Sequence, residues 1–190
     1  MRRKVPTITD PTPLREALKR STSALKADGV PFALAGGYAL WVHGAPESAH
    51  DVDIVIDEQD VEAAAESLQR AGFTIERPPE DWLFKAYLDG AMVDVLHRLN
   101  GVRVDRAVLD LADRFDVLGL HIPVLPATQV ITTKLNSLSE RYCDFGQLIG
   151  PVRAVREQLD WTAIRAHTAD NDFAAAFLVL MERLAITSHP

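Results

Sequence analysis

Apolar and polar positions alternate along this chain in two rhythms, and the rhythm changes near residue 126. Leu14, Leu18 and Leu25 recur at helical spacing, with Thr12 as a cap and Pro13 as the first helical residue, so a helix is expected up to Gly29. Phe32-Ala33-Leu34-Ala35 reads as a short strand stopped by Gly36-Gly37, and Tyr38 to His43 continues as a short helix ending at Gly44. In Asp51-Val52-Asp53-Ile54-Val55-Ile56 acidic and apolar residues alternate and then give way to branched aliphatics, the pattern of a strand with one acidic end. Asp57-Glu58-Gln59-Asp60 places negative charge at the start of the next helix. Its buried face is Val61, Ala64, Ala65 and Leu68, and it ends at Ala71-Gly72.

Phe73 to Glu76, Trp82 to Tyr87 and Met92 to His97 read as three further strands, the last two joined by the hairpin turn Asp89-Gly90. Residues 98 to 114 are polar and offer only a short helix lined by Val108, Leu109 and Ala112. Val117-Leu118 and His121 to Val124 flank Gly119 as a small ladder or an extended connection, and Pro123 favours an edge position. From Pro126 the pattern is helical through Val130, Lys134, Leu135 and Leu138, then over Cys143 to Ile149, where Gly150-Pro151 is expected to break it. The last helix runs from Phe173 to Leu184, capped by Asn171 or Asp172, with Phe173, Phe177, Leu180 and Leu184 on one apolar face. The first ten residues carry no period and are expected to be loose. The expected fold is α+β: a short mixed sheet flanked by helices over residues 12–125, then a helical region over 126–190 packed on that core.

Composition narrows the function. Of 190 residues, 47% are hydrophobic and 25% charged, which excludes a disordered chain. Twenty Lys plus Arg against 27 Asp plus Glu give a net charge of -7, which argues against an enveloping grip on nucleic acid. A local strip of Arg98, Arg103, Arg106 and Arg114 is still compatible with phosphate contacts. Cys143 is the only cysteine, so neither an internal disulfide nor a thiolate zinc site is available. No apolar segment follows Met1 to Thr7, and the apolar run Phe173 to Met181 is about half of what a bilayer span needs, so no signal peptide, no membrane association and a cytoplasmic location are expected.

Asp51 and Asp53 stand two apart on a strand, so their carboxylates share a face and repel unless protonated or neutralised. A divalent cation is the economical partner; two solvated aspartates at a strand end are the plainer alternative. Asp94, isolated within Met92-Val93-Asp94-Val95-Leu96, favours the cation, because a carboxylate in an apolar strand needs a partner to tolerate burial. Three carboxylates suit Mg2+ or Mn2+ and point to phosphoryl or nucleotidyl transfer. Gly36-Gly37, a turn without β-carbons ahead of a helix, brings backbone N–H groups against phosphate oxygens, although a double glycine alone is most often an ordinary turn.

Leu34-Ala35-Gly36-Gly37, thirteen intervening residues, then Asp51-Val52-Asp53-Ile54, with Asp94 on a later strand, resembles the nucleotidyltransferase superfamily typified by DNA polymerase beta. The resemblance implies that Gly36 and Gly37 receive the triphosphate of an NTP co-substrate. It further implies that Asp51 and Asp53 ligate metal, and that Asp94 ligates a second ion and helps activate an acceptor hydroxyl. Val130-Ile131-Thr132-Thr133-Lys134-Leu135 and Arg141-Tyr142-Cys143-Asp144-Phe145 look like the lysine and aspartate motifs of AbiEii-type toxin nucleotidyltransferases, including mycobacterial toxins that modify tRNA acceptor ends. Carried over, Lys134 contacts the nucleotide phosphates and Asp144 contributes to activity; otherwise Lys134 lies on a solvated helix face and Asp144 pairs with Arg141. The chain departs from the pattern at Ser48-Ala49-His50, before the acidic pair, and at Gln147, where a second aspartate often stands.

Lys85, on the parity of Leu83 and Tyr87, either approaches phosphate or is a surface or edge lysine. His50 and His97 flank the acids as orienting groups or plain strand ends, Tyr38 and Trp41 stack on a base or fill core, and Trp82 and Trp161 have no stronger case. The expected activity is transfer of a nucleoside monophosphate from an NTP to a hydroxyl, an enzyme of EC 2.7.7 type, with a tRNA acceptor and a separate antitoxin protein as expected partners. An aminoglycoside-like or protein acceptor, and a non-catalytic nucleotide- or partner-binding protein, are the competing readings.

Overall fold

The computed structural model describes residues 10–187, so the loose start expected for the first residues lies, but for Asp10, outside the described residues. Helix α1 (Thr12–Ala27) starts at the residue expected to cap it. Pro11 is the N-cap, Pro13 sits in the first turn where its missing N–H costs nothing, and Asp10 Oδ1 accepts the Thr12 N–H at 2.9 Å. Its face of Leu14, Ala17, Leu18 and Leu25 is fully buried, each leucine contributing about 1.5–3 kcal/mol of burial. The chain continues as β1 (Phe32–Ala35), α2 (Gly36–Val42) and β2 (Val52–Ile56), then a 3-10 turn (Glu58–Asp60) and α3 (Val61–Arg70). Next come β3 (Thr74–Glu76), β4 (Leu83–Leu88) and β5 (Ala91–Leu96), joined as expected by Asp89-Gly90.

The polar segment from residue 98 holds a small hairpin, β6 (Arg98–Leu99) and β7 (Val102–Arg103), ahead of the expected short helix, α4 (Arg106–Leu109). The hairpin turns on Asn100-Gly101, both at positive φ (52° and 82°), a strong local signal that the surrounding charges obscured. Strand β8 (Asp113–Val117) begins earlier than expected and pairs with β9 (Leu120–Val124). Pro123 is not on an edge strand: β9 lies between β8 and β1. The β1–β9 register starts only at Leu34–Val124, so Pro123 is spared from donating there.

The helical region comprises α5 (Ala127–Asn136), α6 (Phe145–Val155), a 3-10 turn (Arg156–Gln158), α7 (Trp161–His167) and α8 (Asp172–Arg183). Gly150-Pro151 does not break α6. The helix runs through Pro151 because Val152 and Val155 beyond it are fully buried and hold the last turn against the core. Cys143 stands outside this helix. Asn171 caps α8 as expected, accepting from the N–H groups of Phe173 and Ala174, but the buried face is Ala174, Phe177, Leu178 and Met181, and Leu184 is exposed.

The larger sheet is mixed and seven-stranded in the order β3-β4-β5-β2-β1-β9-β8, with β2–β5 and β1–β9 parallel and the other pairs antiparallel. Helix α1 packs across β2, β4, β5 and β9 and against α3, while α5 packs on α2, α7 and α8. Along β5, Ala91, Val93 and Val95 are fully buried; the opposite parity, Met92, Asp94 and Leu96, lines the partly open face.

Candidate active site

The sheet register builds the site. Asp53 of β2 stands opposite Asp94 of β5 in the parallel pair, and opposite Ala35, the last residue of β1, in the antiparallel pair. Asp51, just ahead of β2, shares the parity of Asp53. One carboxylate oxygen from each of Asp51, Asp53 and Asp94 lies within 4.8 Å of the others, on three half-buried side chains. The three acids singled out from the sequence therefore meet at one point on one face.

Gly36 makes this approach feasible. It has φ +56°, and a β-carbon there would collide with the Asp53 carboxylate. Gly37 is constrained by volume alone: the Cβ and Oγ of Ser48 would lie 2.8 and 2.9 Å from an added β-carbon. The loop carrying Ser48 is braced at Glu47, which accepts from Arg15 Nε and Nη2 at 2.8 and 2.7 Å and from the Tyr38 hydroxyl at 3.1 Å. Tyr38 is thus core, packed edge-on against Trp41.

Burial, followed by the charges of Asp53 and Asp94, pushes the Asp51 carboxyl up to about 7, with Lys134 and Lys85 partly opposing. Asp94 is raised by burial, against the hydrogen bond and charge of Lys85. Lys85 Nζ donates to Asp94 Oδ1 at 2.7 Å. Burial disfavours its charge, but the Asp94 contact outweighs this and its pKa is raised. Lys85 is neither a surface nor an edge lysine: β4 lies between β3 and β5. The turn predicted at Asp89-Gly90 held this information, because counting outward from the pair Leu88–Ala91 reaches Lys85–Asp94.

A cleft of about 350 Å³ opens beside the acids, reaching Gly36 at the start of α2, Asp53 and Asp94 on the sheet, and Thr133, Lys134 and the C-cap Ser137 of α5. Its apolar lining is Trp82, Leu96, Leu99, Leu125 and Val130, and the β6–β7 hairpin closes one side, where Asn100 Nδ2 donates to Thr133 O at 3.1 Å. Lys134 thus faces the acids across the cleft rather than lying on a solvated helix face. Trp82, 40% exposed, joins the lining although its sequence context gave it no task. Trp161 is buried in the core.

Asp144 is not brought to this cleft. It is the exposed N-cap of α6, accepting the Gly146 N–H at 3.0 Å, and it makes no ion pair with Arg141 among the described contacts. The proposed arginine strip is largely spent on internal ion pairs. Arg98 and Arg103 each reach Glu58 at 2.7 Å, and Arg106 reaches Asp60 at 2.7 Å and Asp57 at 3.3 Å; Arg114 is exposed. His97 sits 3.8 Å from Glu58, with burial lowering its pKa, and His50 is exposed and outside the acidic group.

The donor set fits a hard divalent cation. It offers carboxylate oxygens alone, close enough to share an ion, in surroundings that penalise unpaired negative charge. No helix among the described residues is long and apolar enough to cross a membrane.

No protein-family model and no curated protein sequence matches the chain. Solved structures do match. The antibiotic-resistance factor ANT(2'')-Ia aligns with a TM-score of 0.53 and 14% identity over 93% of this chain and 95% of its own. The lincosamide antibiotic adenylyltransferase LnuA, solved with lincomycin bound, aligns with a TM-score of 0.53 and 15% identity over 79% of this chain and 99% of its own. TM1012 of Thermotoga maritima, whose assignment as a nucleotidyltransferase is itself provisional, aligns with a TM-score of 0.52 and 20% identity over 67% and 85%. At these identities the likeness is one of architecture: the chain has the α+β nucleotidyltransferase fold.

Proposed function

We propose that this chain is a metal-dependent nucleotidyltransferase of EC 2.7.7 type, moving a nucleoside monophosphate from an NTP to an acceptor hydroxyl. The observation that carries this reading is the meeting of Asp51, Asp53 and Asp94 within 4.8 Å, beside a glycine turn at the rim of a cleft. These three residues would hold the cation, Mg2+ or Mn2+. The chemistry supplied by a bound cation is charge neutralisation on the triphosphate and a lowered pKa for the attacking hydroxyl.

Gly36 and Gly37 receive the triphosphate at the start of α2, and Lys134 adds positive charge from across the cleft. With Asp94 Oδ1 engaged by Lys85, Oδ2 is the oxygen left to accept the proton of the acceptor hydroxyl. On this reading residues 12–125 supply the carboxylates, and the region 126–190 supplies the wall that carries Lys134.

The lining supports an RNA end, such as a tRNA 3' terminus, over an aminoglycoside. Apart from Asp53 and Asp94 the cleft lining has no acid, whereas a polyamine acceptor needs carboxylates for its ammonium groups. Trp82 offers a flat aromatic surface suited to stacking a nucleobase, and Lys134 tolerates phosphate. If tRNA is the acceptor, a toxin role restrained by a cognate antitoxin protein follows from the sequence resemblance, and the site of action is the cytoplasm. Incubation with α-labelled NTPs and separate pools of tRNA, protein and aminoglycosides tests the reading. Label in the tRNA pool, dependent on Mg2+ and on Asp53, is expected; label confined to aminoglycosides would select the other acceptor, and no labelling in any pool would leave a binding protein.

A further inference from the structure

Lys85 is the charged group at the acids to which nucleotidyl transfer assigns no step of its own. Its register partner on β5 is Asp94, and the partner of Asp94 on β2 is Asp53, so Lys85, Asp94 and Asp53 form one transverse row over three adjacent strands. The ammonium lies 2.7 Å from Asp94 Oδ1, and its other close partner is the Met92 thioether at 3.5 Å, a weak acceptor. The Lys85 side chain is 23% exposed and that of Asp94 13%, so bulk solvent screens the pair poorly.

We propose that Lys85 is a built-in counter-cation of the metal site, lowering the affinity of the free protein for a divalent ion so that tight loading awaits the triphosphate. The inference rests on the cation site proposed above. Three ionised carboxylates carry three negative charges; Lys85, hydrogen-bonded to one of them, cancels one of these, and Lys134 adds more distant positive charge from across the cleft. Further positive charge then becomes favourable only when a polyanionic nucleotide enters. Lys85 acts through Asp94 and is a positioning residue, since it competes for a carboxylate oxygen that a second cation would use. Were the Lys85 charge not felt at the cation site, its removal would leave cation affinity unchanged, or weaken it through disorder of the cluster.

The test is Mn2+ binding to the full chain without nucleotide, followed by the loss of the free-ion electron paramagnetic resonance signal at about pH 8, where carboxylates are ionised. Lys85→Met and Lys85→Gln are expected to bind Mn2+ about tenfold more tightly than the unaltered protein, and Lys85→Arg, which keeps the charge, to match it. Addition of a non-hydrolysable NTP analogue should tighten Mn2+ binding in the unaltered protein more than in Lys85→Gln. Equal or weaker Mn2+ affinity in whichever neutral variant keeps the native circular dichroism spectrum would overturn the counter-cation role, as would Lys85→Arg behaving like the neutral variants. Mn2+ binding that persists undiminished in Asp53→Asn would instead remove the cation site itself, and with it both readings.

Discussion

The carboxylate of Asp53 occupies the space in which a β-carbon on Gly36 would stand. Gly36 opens α2 at φ +56°, so the turn that carries the backbone past the acids is closed to L side chains on two counts, conformation and volume.

Gly36→Ala is therefore expected to cost about 1–3 kcal/mol of stability and to lower transfer at least ~100-fold, because the Asp53 carboxylate must move out of its place. Thermal denaturation and initial rates on the same preparation check both. A variant with the original rate would show that the reaction does not need this close approach.

Asp53→Asn and Asp94→Asn keep shape and remove charge. Transfer is expected to fall about 10³-fold in each. Without cation, Asp53→Asn should be as stable as the original protein or more so, since it relieves repulsion on Asp51. Retained turnover would take the residue out of the cation site.

The raised Asp51 pKa sets a pH dependence with a definite sign. An acid shifted from 3.8 to about 7 binds more protons folded than unfolded, so its contribution to stability is lost as pH climbs from about 4 through 7. At about pH 8 without cation, Asp51→Asn is expected to be of the order of 2 kcal/mol more stable than the original protein, with the gap narrowing as pH falls from about 7 and closed by about pH 4. Divalent cations compete with the same proton, so their affinity should rise up to ~tenfold per pH unit and level off above about pH 7. Denaturant melts and Mn2+ titrations across this range give the two profiles; a flat cation profile would separate Asp51 from the site.

Lys134→Ala is expected to raise the KM for NTP about tenfold with a smaller change in kcat, since Lys134 faces the acids from α5 without entering their cluster. Unchanged kinetics would return it to a solvated helix face.

Asp144 caps α6 outside the cleft. Asp144→Ala should cost about 1 kcal/mol of stability, while Asp144→Asn, an equally good cap, should keep both stability and turnover. Lost turnover in Asp144→Asn at an unchanged melting temperature would restore the role implied by the resemblance to toxin enzymes.

Short-range grammar was legible in this chain and long-range pairing was not. The Asp51–Asp53 spacing, the acid at 94, the glycines at 36 and 37 and the Asp89-Gly90 turn each declare themselves within a few residues. The parallel register that sets Asp53 against Asp94 joins strands some forty residues apart and leaves no local trace. Pro151 misled because its helix is held by the burial of Val152 and Val155, a tertiary term that outweighs the local preference. The α8 face was misplaced for a related reason: Leu184 and Val179 are as apolar as Leu178 and Met181, and only the packing partners tell them apart.

The position of β2 between β1 and β5 has a consequence for how the molecule matures. The β4–β5 hairpin is a local structure and can bring Lys85 against Asp94 early, but Asp53 arrives only when two ladders spanning long stretches of chain have closed. A partly assembled sheet then holds the lysine–aspartate pair without the carboxylates of β2. A cation bound by the completed trio, which spans strands on both sides of that closure, would protect the central sheet against proteolysis rather than one loop of it.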